Sequence, residues 1–346
     1  MASAFGNIVT TVTQDYIVPK VTDNVTGGNV LLMRFLGARK AAKAWGQISG
    51  EQLKVPIKYQ ASTTGGWYSQ YDTFDTSQDN TRVLAEFNPS QLYWSVVVSG
   101  IQQAVNKGPQ QVLDLLTVEM DSVATDMADT LGTGLYSDGT GTSNKQLTGL
   151  DAAVDDGNGT ATYANLARGT YTTWVSDLDS SSNSITRAEM GASFDAATIG
   201  SDHPTLGVTT PAIWTTIEGL AMGTISFNNP LPGLAKQYGT MTKAGVKKGV
   251  TGELGFTSLF FRGIPIIADE KCTSGRFYFL NENHMGLATW AYPDFPGYVT
   301  KGNYNGFCWT GLKIPTNQDA TVGQFLFYGE LVTNAVRTHA YMTGKS

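Results

Sequence analysis

The chain has 346 residues, of which only 15% are charged while 11% are aromatic and 39 are glycine, so it is poorly suited to life as an isolated monomer. An ordinary soluble domain carries about 25% charged residues, and a surface poorer in charge than that is expected where much of it is buried against copies of itself. The formal charge of -6 argues against a protein whose task is to grip a phosphate backbone, because such affinity comes from Lys and Arg releasing counterions.

Residues 1–50 read as an arm. Its second part, NVLLMRFLGARKAAKAW, predicts a short amphipathic helix interrupted by Gly37. Arg34, Arg39, Lys40 and Lys43 make it basic, with no acidic residue between Asp23 and Glu51. A membrane-surface helix, a nucleic-acid contact and a helix docked on an acidic neighbouring surface are all open readings, the last being the simplest.

Residues 51–98 predict a long two-stranded excursion with an irregular tip. Leu53, Val55, Ile57 and Tyr59 alternate with polar positions, and Pro56 confines that strand to an edge. Gly65 and Gly66 break the run. Trp67, Tyr68, Tyr71 and Phe74 follow in an Asp-rich setting too thin to bury them, which suggests a partner. The return strand is expected from about Arg82 to Gly100. An isolated ribbon of this kind is marginal in water and needs another surface to lie on.

Lys107 to Leu131 is the one long, cleanly periodic helix. Val112, Leu115, Leu116, Val123, Met127 and Leu131 form its apolar face, with Asn106 as cap, Pro109 in the first turn, and Gly132 and Gly134 as the expected stop. Asp114, Glu119, Asp121, Asp126 and Asp129 lie opposite, a face that solvation alone can explain. Further helices are expected over 185–199 and 210–222. From Gly255 onward short strands dominate, and this order of helices and strands predicts an α+β protein.

Chemistry leaves little trace. His203, His284 and His339 are far apart and lack metal-ligand spacing, no GxSxG elbow is present, and the terminal Gly344 to Ser346 only mimics a phosphate loop. The loop DAAVDDGNGTATY matches part of a calcium-loop pattern, but Val154 occupies the first ligand position and Asn165 that of the bidentate glutamate. No catalytic residue, metal or cofactor is assigned. Cys272 and Cys308, without a CxxC, suit a reducing compartment and leave one disulfide open. The N-terminus lacks the pattern of a secretory signal, and no stretch approaches a membrane span.

At LFFRGIPIIADEKCTSGRFYFLNENHMGL, residues 259–287, the sequence resembles the major capsid proteins of tailed bacteriophages, whose fold is also found in herpesvirus shells. The aromatic extended loop, LYWSVVVSG leading into NKGPQQVLDLL, and SDGTGTSNKQLTGLDA agree with it in order. The resemblance implies an N-terminal arm (1–50) and an extended β loop (51–98) lying across the adjacent subunit. It also implies a peripheral domain (99–200) holding the spine helix, an axial domain (201–315) and a closing strand of the peripheral domain (316–346).

Lys54, Lys58, Trp67, Tyr68, Tyr71 and Phe74 then become interface residues of the loop, and Arg34, Arg39, Lys40 and Lys43 those of the arm. The acidic side of the spine helix becomes a candidate partner for that arm. Some relatives join subunits through a Lys to Asn isopeptide bond, for which Lys54 or Lys58 would be the lysine and no motif selects between asparagines such as Asn317 and Asn334.

The implied function is a structural shell subunit forming pentamers and hexamers of an icosahedral virion around packaged DNA, assembled in the host cytoplasm. A separate scaffolding protein, a portal and a decoration protein are the partners expected beside it. A tail or surface-array subunit is the nearest alternative reading, and a hydrolase using paired carboxylates a more distant one.

Overall fold

The computed structural model describes residues 29–37, 47–48, 50–105, 115–222, 259–290, 299–304 and 307–346. In chain order the strands are β1 (Gln47–Ile48), β2 (Leu53–Lys58), β3 (Arg82–Phe87), β4 (Ser90–Ser99), β5 (Thr162–Tyr163), β6 (Leu166–Ala167), β7 (Asp177–Asp179) and β8 (Leu206–Thr209). They continue with β9 (Leu259–Phe261), β10 (Ile264–Ala268), β11 (Phe277–Leu280), β12 (Met285–Trp290), β13 (Val299–Tyr304), β14 (Phe307–Trp309), β15 (Ala320–Thr333) and β16 (Ala340–Met342). The α+β expectation holds, with four helices of eight residues or more among the described residues: Val30–Gly37, Leu115–Gly134, Arg187–Ala196 and Pro211–Met222.

One sheet is built on β15, which pairs antiparallel with β4 from Ala320 opposite Ser99 to Gly329 opposite Ser90. β12 and β14 also pair with β15, while β13 and β1 complete the sheet. The second sheet runs β7-β16-β11-β8-β10-β9 and is mixed, β8 and β10 being parallel. Its inner strands β8, β11 and β16 are buried at every position because both faces are covered, while the edge strands β7 and β9 are partly exposed. Side chains alternate across a strand, so Phe277 and Phe279 enter one core with Met190, Phe194 and Ile213, while Tyr278 and Leu280 enter the other with Leu131 and Leu135.

This sheet membership cuts across the expected units. Of the segment 201–315, β8 to β11 lie in the second sheet, but β12 to β14 join the first through β15. The C-terminal segment 316–346 divides as well, β15 going to the first sheet and β16 to the second, where it pairs with β11 and β7. Residues 187–196 pack with the second core rather than with the long helix. Pairing between strands distant in sequence sets this sheet membership, and no local composition reveals it.

The long helix spans Leu115–Gly134, so its expected start at Lys107, with Asn106 and Pro109, lies outside the described residues. Met127 and Leu131 are buried as the periodicity predicts. The helix passes Gly132, on which the side chain of Asn29 packs while donating to the Ala128 carbonyl at 2.7 Å, and ends at Gly134, the second of the two expected stops. Beyond Gly134 the open carbonyls are met by Ser137 N–H, 3.1 Å from Gly134 O, and by Leu150 N–H, 2.7 Å from Leu135 O.

Gly149 makes that closure possible. A β-carbon there would lie 2.4 Å from Leu135 O and 2.6 Å from Gly134 O, both of them backbone atoms. Gly149→Ala is therefore expected to destabilise the subunit by about 2–3 kcal/mol, read as a lowered denaturation midpoint with an unchanged denaturant slope.

Glu330 lies buried in the middle of β15, accepting from Ser90 Oγ at 2.7 Å and Thr148 N–H at 2.8 Å. Burial pushes its pKa up from 4.5 to about 8. The folded protein thus keeps a proton that the unfolded chain releases above pH 4.5, and stability falls as pH rises from there to about 8. Glu330→Gln is expected to flatten this slope, which amounts to on the order of 3 kcal/mol, in chemical denaturation measured at pH 5 and pH 8.

Candidate assembly interface

The ribbon of β2 and β3 is zipped with Lys54 opposite Glu86, Pro56 opposite Leu84 and Lys58 opposite Arg82. It is two strands wide, so Pro56 sits at an edge where its missing N–H costs no ladder bond. Val55, Ala85 and Phe87 face inward and are buried. The expected return strand to Gly100 is broken at Asn88 and Pro89, and its second half, β4, leaves the ribbon to pair with β15.

The base of the ribbon finds its supporting surface on its own subunit. Phe87 meets Tyr163 edge-on at 5.7 Å, and Tyr59 meets Tyr171 at 5.0 Å. Glu86 N–H donates to Ala164 O at 2.9 Å, and Thr173 Oγ1 donates to Tyr59 O at 2.7 Å. That docking surface is the hairpin of β5 and β6, whose turn places Ala164 and Asn165 at φ of 52° and 62°, together with Tyr171 and Thr173 just after it.

The tip beyond this base is different. Asp79 closes its neck by accepting from Thr63 N–H at 2.6 Å and Thr63 Oγ1 at 3.1 Å, and these bonds hold its carboxyl below the usual range. Trp67 and Tyr71 are 106% and 89% exposed, and Tyr68 and Phe74 are exposed as well and meet each other edge to face at 5.0 Å. Four large rings with no cover on their own subunit are the most conspicuous apolar surface among the described residues. Lys54 pairs with Glu86 at 2.9 Å across the ribbon, and Lys58 is exposed beside a cleft at its base.

The arm docks by a route that the sequence does not show. Val30, Leu31, Leu32 and Phe35 are buried, and Leu31 N–H donates to Asp269 Oδ2 at 3.1 Å. Arg34 forms a two-pronged pair with Glu282, Nε to Oε1 at 2.5 Å and Nη2 to Oε2 at 2.9 Å. Within the subunit Arg34 thus pairs with Glu282, and Asp129 on the acidic side of the long helix pairs with Lys271 at 2.7 Å. Arg39, Lys40 and Lys43 lie outside the described residues.

The acidic loop that resembled a calcium site is organised by a cation of the chain itself. Asp155 is buried and accepts from Gly157 N–H, Thr160 N–H, Tyr341 O–H and Arg168 Nη1. Arg168 is equally buried and also donates to the carbonyls of Ala152, Ala153, Thr160 and Trp174. Among the described residues no group of three His, Cys, Asp or Glu side chains is arranged to hold a metal ion.

The histidines are tied into structural contacts. His339 is fully buried, with Nδ1 accepting from Asn281 N–H at 3.0 Å, and burial pushes its pKa down to about 3. His284 bridges Asp202 at 2.5 Å and Asn334 at 2.8 Å. His203 Nδ1 lies 2.9 Å from its neighbour's carbonyl, Pro204 O.

Sequence reasoning found the aromatic tip and missed the Arg34–Glu282 pair, the Arg168 network and the cleft at the ribbon base. Each joins residues far apart in the chain or hides an ordinary Arg in a loop, so no local pattern marks it.

No family model matches this chain, and no curated protein is similar to it in sequence. Solved structures are similar to it over its whole length. A chain of the cyanophage A-1(L) capsid asymmetric unit superposes with a TM-score of 0.71 at 14% identity, covering 98% of this chain and 99% of that one. This chain has the tailed-phage capsid fold.

A capsid chain of a native GTA particle, with a TM-score of 0.63 at 9% identity, covers both chains completely. The encapsulin of the holo-SrpI complex from Synechococcus elongatus has a TM-score of 0.59 at 12% identity, over 100% of this chain and 97% of that one. Within this fold, the ribbon carries at its tip the exposed rings of Trp67, Tyr68, Tyr71 and Phe74.

Proposed function

We propose that this chain is the major capsid subunit of a tailed bacteriophage, assembling with itself into a closed icosahedral shell around packaged double-stranded DNA. The observation that carries the reading is the exposed aromatic tip on a chain that is, from end to end, a capsid fold. Four rings left in water disfavour the lone subunit, and covering them on a neighbour supplies an association energy of about 1.5–3 kcal/mol for each ring fully buried.

A contact between two different patches repeats head to tail and closes into a ring when the rotation is right. Pentamers and hexamers are such rings. Each standard interface buries on the order of 1,600 Å², and the sum around a subunit stabilises a shell whose single contacts are modest. The charge of -6 suits a wall that encloses DNA without adhering to it.

In this reading the role is structural and the subunit's place is the virion capsid, built in the host cytoplasm. A separate scaffolding protein, a portal and a decoration protein are its partners. The second sheet with its helices forms the axial part, and the first sheet with the long helix the peripheral part.

Electron microscopy of the purified protein, alone and with a scaffolding protein encoded beside it, tests the proposal. Closed icosahedral shells are expected, and virions should hold double-stranded DNA within walls of this chain. Filaments or flat sheets would identify a tail or surface-array subunit instead, and shells enclosing protein in place of DNA an encapsulin-type container.

A further inference from the structure

A cleft of about 370 Å³ opens at the foot of the ribbon, where Lys58 and Tyr59 face Tyr171, Ile199 and Arg337. Trp174 and Val336, both buried, form part of its lining. It is of the size of a small-ligand site, but its chemistry differs from that of a catalytic pocket. Its two charged groups are cations, Lys58 and Arg337, both exposed and in no ion pair among the described residues, and no acidic side chain lines it. Lys58 also stands opposite Arg82 across the ribbon, so positive charge is concentrated at this foot.

The tip has the complementary composition. Residues 59–81 contain Asp72, Asp75 and Asp79 and no Lys, Arg or His, interleaved with Trp67, Tyr68, Tyr71 and Phe74. Hydrogen bonds within the tip hold Asp75 and Asp79 below the usual carboxylate range, so both are ionised at neutral pH. The tip does not turn back on its own cleft, since Trp67 and Tyr71 are almost wholly exposed. Each limb of it extends to roughly 35 Å at most, enough to reach an adjacent subunit.

We infer that this cleft is the receptor for the loop tip of a second copy of the chain, with Lys58 and Arg337 taking the tip's aspartates and the apolar walls taking its rings. The inference rests on the self-association proposed above and adds the surface that receives the tip. Tip and cleft are different patches of one chain, so the contact is head to tail, the kind that generates rings. Complementary charge would set register and exclude wrong pairings, while ring burial supplies most of the affinity.

The full chain is compared by light scattering and negative-stain microscopy under conditions where the unmodified protein assembles. Lys58→Glu with Arg337→Glu is expected to raise the concentration needed for assembly about tenfold or more, a change of about 1.4 kcal/mol per contact, without moving thermal unfolding of the subunit. Adding Asp72→Lys and Asp75→Lys to that variant is expected to restore assembly, because every tip then meets a cleft of opposite charge.

A second readout does not depend on charge. Tyr71→Cys with Ile199→Cys should give disulfide-linked multimers on oxidation of assembled particles, the native Cys272 and Cys308 being buried. Normal assembly of the cation-reversed variant, no rescue by the combined exchange, or no cross-link in assembled particles overturns the cleft assignment and leaves the shell reading standing. Small rings that never close into shells, yet lose assembly on cation reversal and regain it on the exchange, support the cleft and sink the shell. An unmodified chain that stays monomeric with and without scaffold overturns both.

Discussion

Arg168→Met is expected to cost on the order of 3–5 kcal/mol and to lower the melting temperature of the subunit by roughly 4–7 °C. The guanidinium is buried, pairs with Asp155 at 3.2 Å and donates to four backbone carbonyls, from Ala152, Ala153, Thr160 and Trp174. Methionine has no donor, so the buried Asp155 keeps Gly157, Thr160 and Tyr341 but loses its charged partner, and four carbonyls lose a donor together. Burial itself lowers the Arg168 pKa, yet the surrounding acceptors make the charged form the one this site is built for.

Arg168→Lys should recover only part of the loss, because an ammonium cannot reproduce the planar fork that reaches both Trp174 O and Ala152 O. Differential scanning calorimetry of the three proteins decides the matter. A methionine variant that melts with the unmodified protein would mean that the loop is held by its apolar residues alone.

Replacing Trp67, Tyr68, Tyr71 and Phe74 together with Ser is expected to abolish assembly at concentrations where the unmodified chain assembles completely. All four are exposed, and no ring of the main body packs on them, so the subunit should melt at an unchanged temperature. The separation of these two readouts is the point of the experiment. Each ring buried on a neighbour contributes about 1.5–3 kcal/mol, and even partial loss across four rings exceeds what a single subunit contact can give up. Shells that form normally from the serine variant would show that the tip is not the clamp. Aggregation of a destabilised subunit would show that the rings have a partner in their own chain.

Much of this was readable from local pattern. The Asp-rich, ring-bearing tip between Gly65 and Asp79 stands out because no thin loop can bury four aromatic side chains. Within the expected return strand, Val96 and Val98 of β4 are buried while Tyr93 and Val97 are exposed, the alternation of a strand with one face covered. The apolar periodicity of Met127 and Leu131 predicted the long helix, and the helix expected over 210–222 is found at Pro211–Met222, with Pro211 in its first turn. Thr186 and Glu189 form a capping box that sets the start of the Arg187–Ala196 helix, a signal lying within the stretch expected to be helical.

Other features were not readable, for one physical reason. Arg34 and Glu282, Asp155 and Tyr341, and Lys271 and Asp129 meet across separations of well over a hundred residues, and nothing in either neighbourhood specifies the other. Asn29 packs on Gly132 from more than a hundred residues away, and β4 leaves the ribbon because β15 offers a longer ladder. The sequence by itself determined which segments are helix, strand or exposed tip, since hydrophobic period and turn residues act over a few positions. Only the tertiary structure decided which strands share a sheet, which carboxylate each buried cation meets, and that a basic cleft stands at the foot of an acidic, aromatic loop. Those outcomes follow from long-range packing, where burial selects partners that local chemistry leaves open.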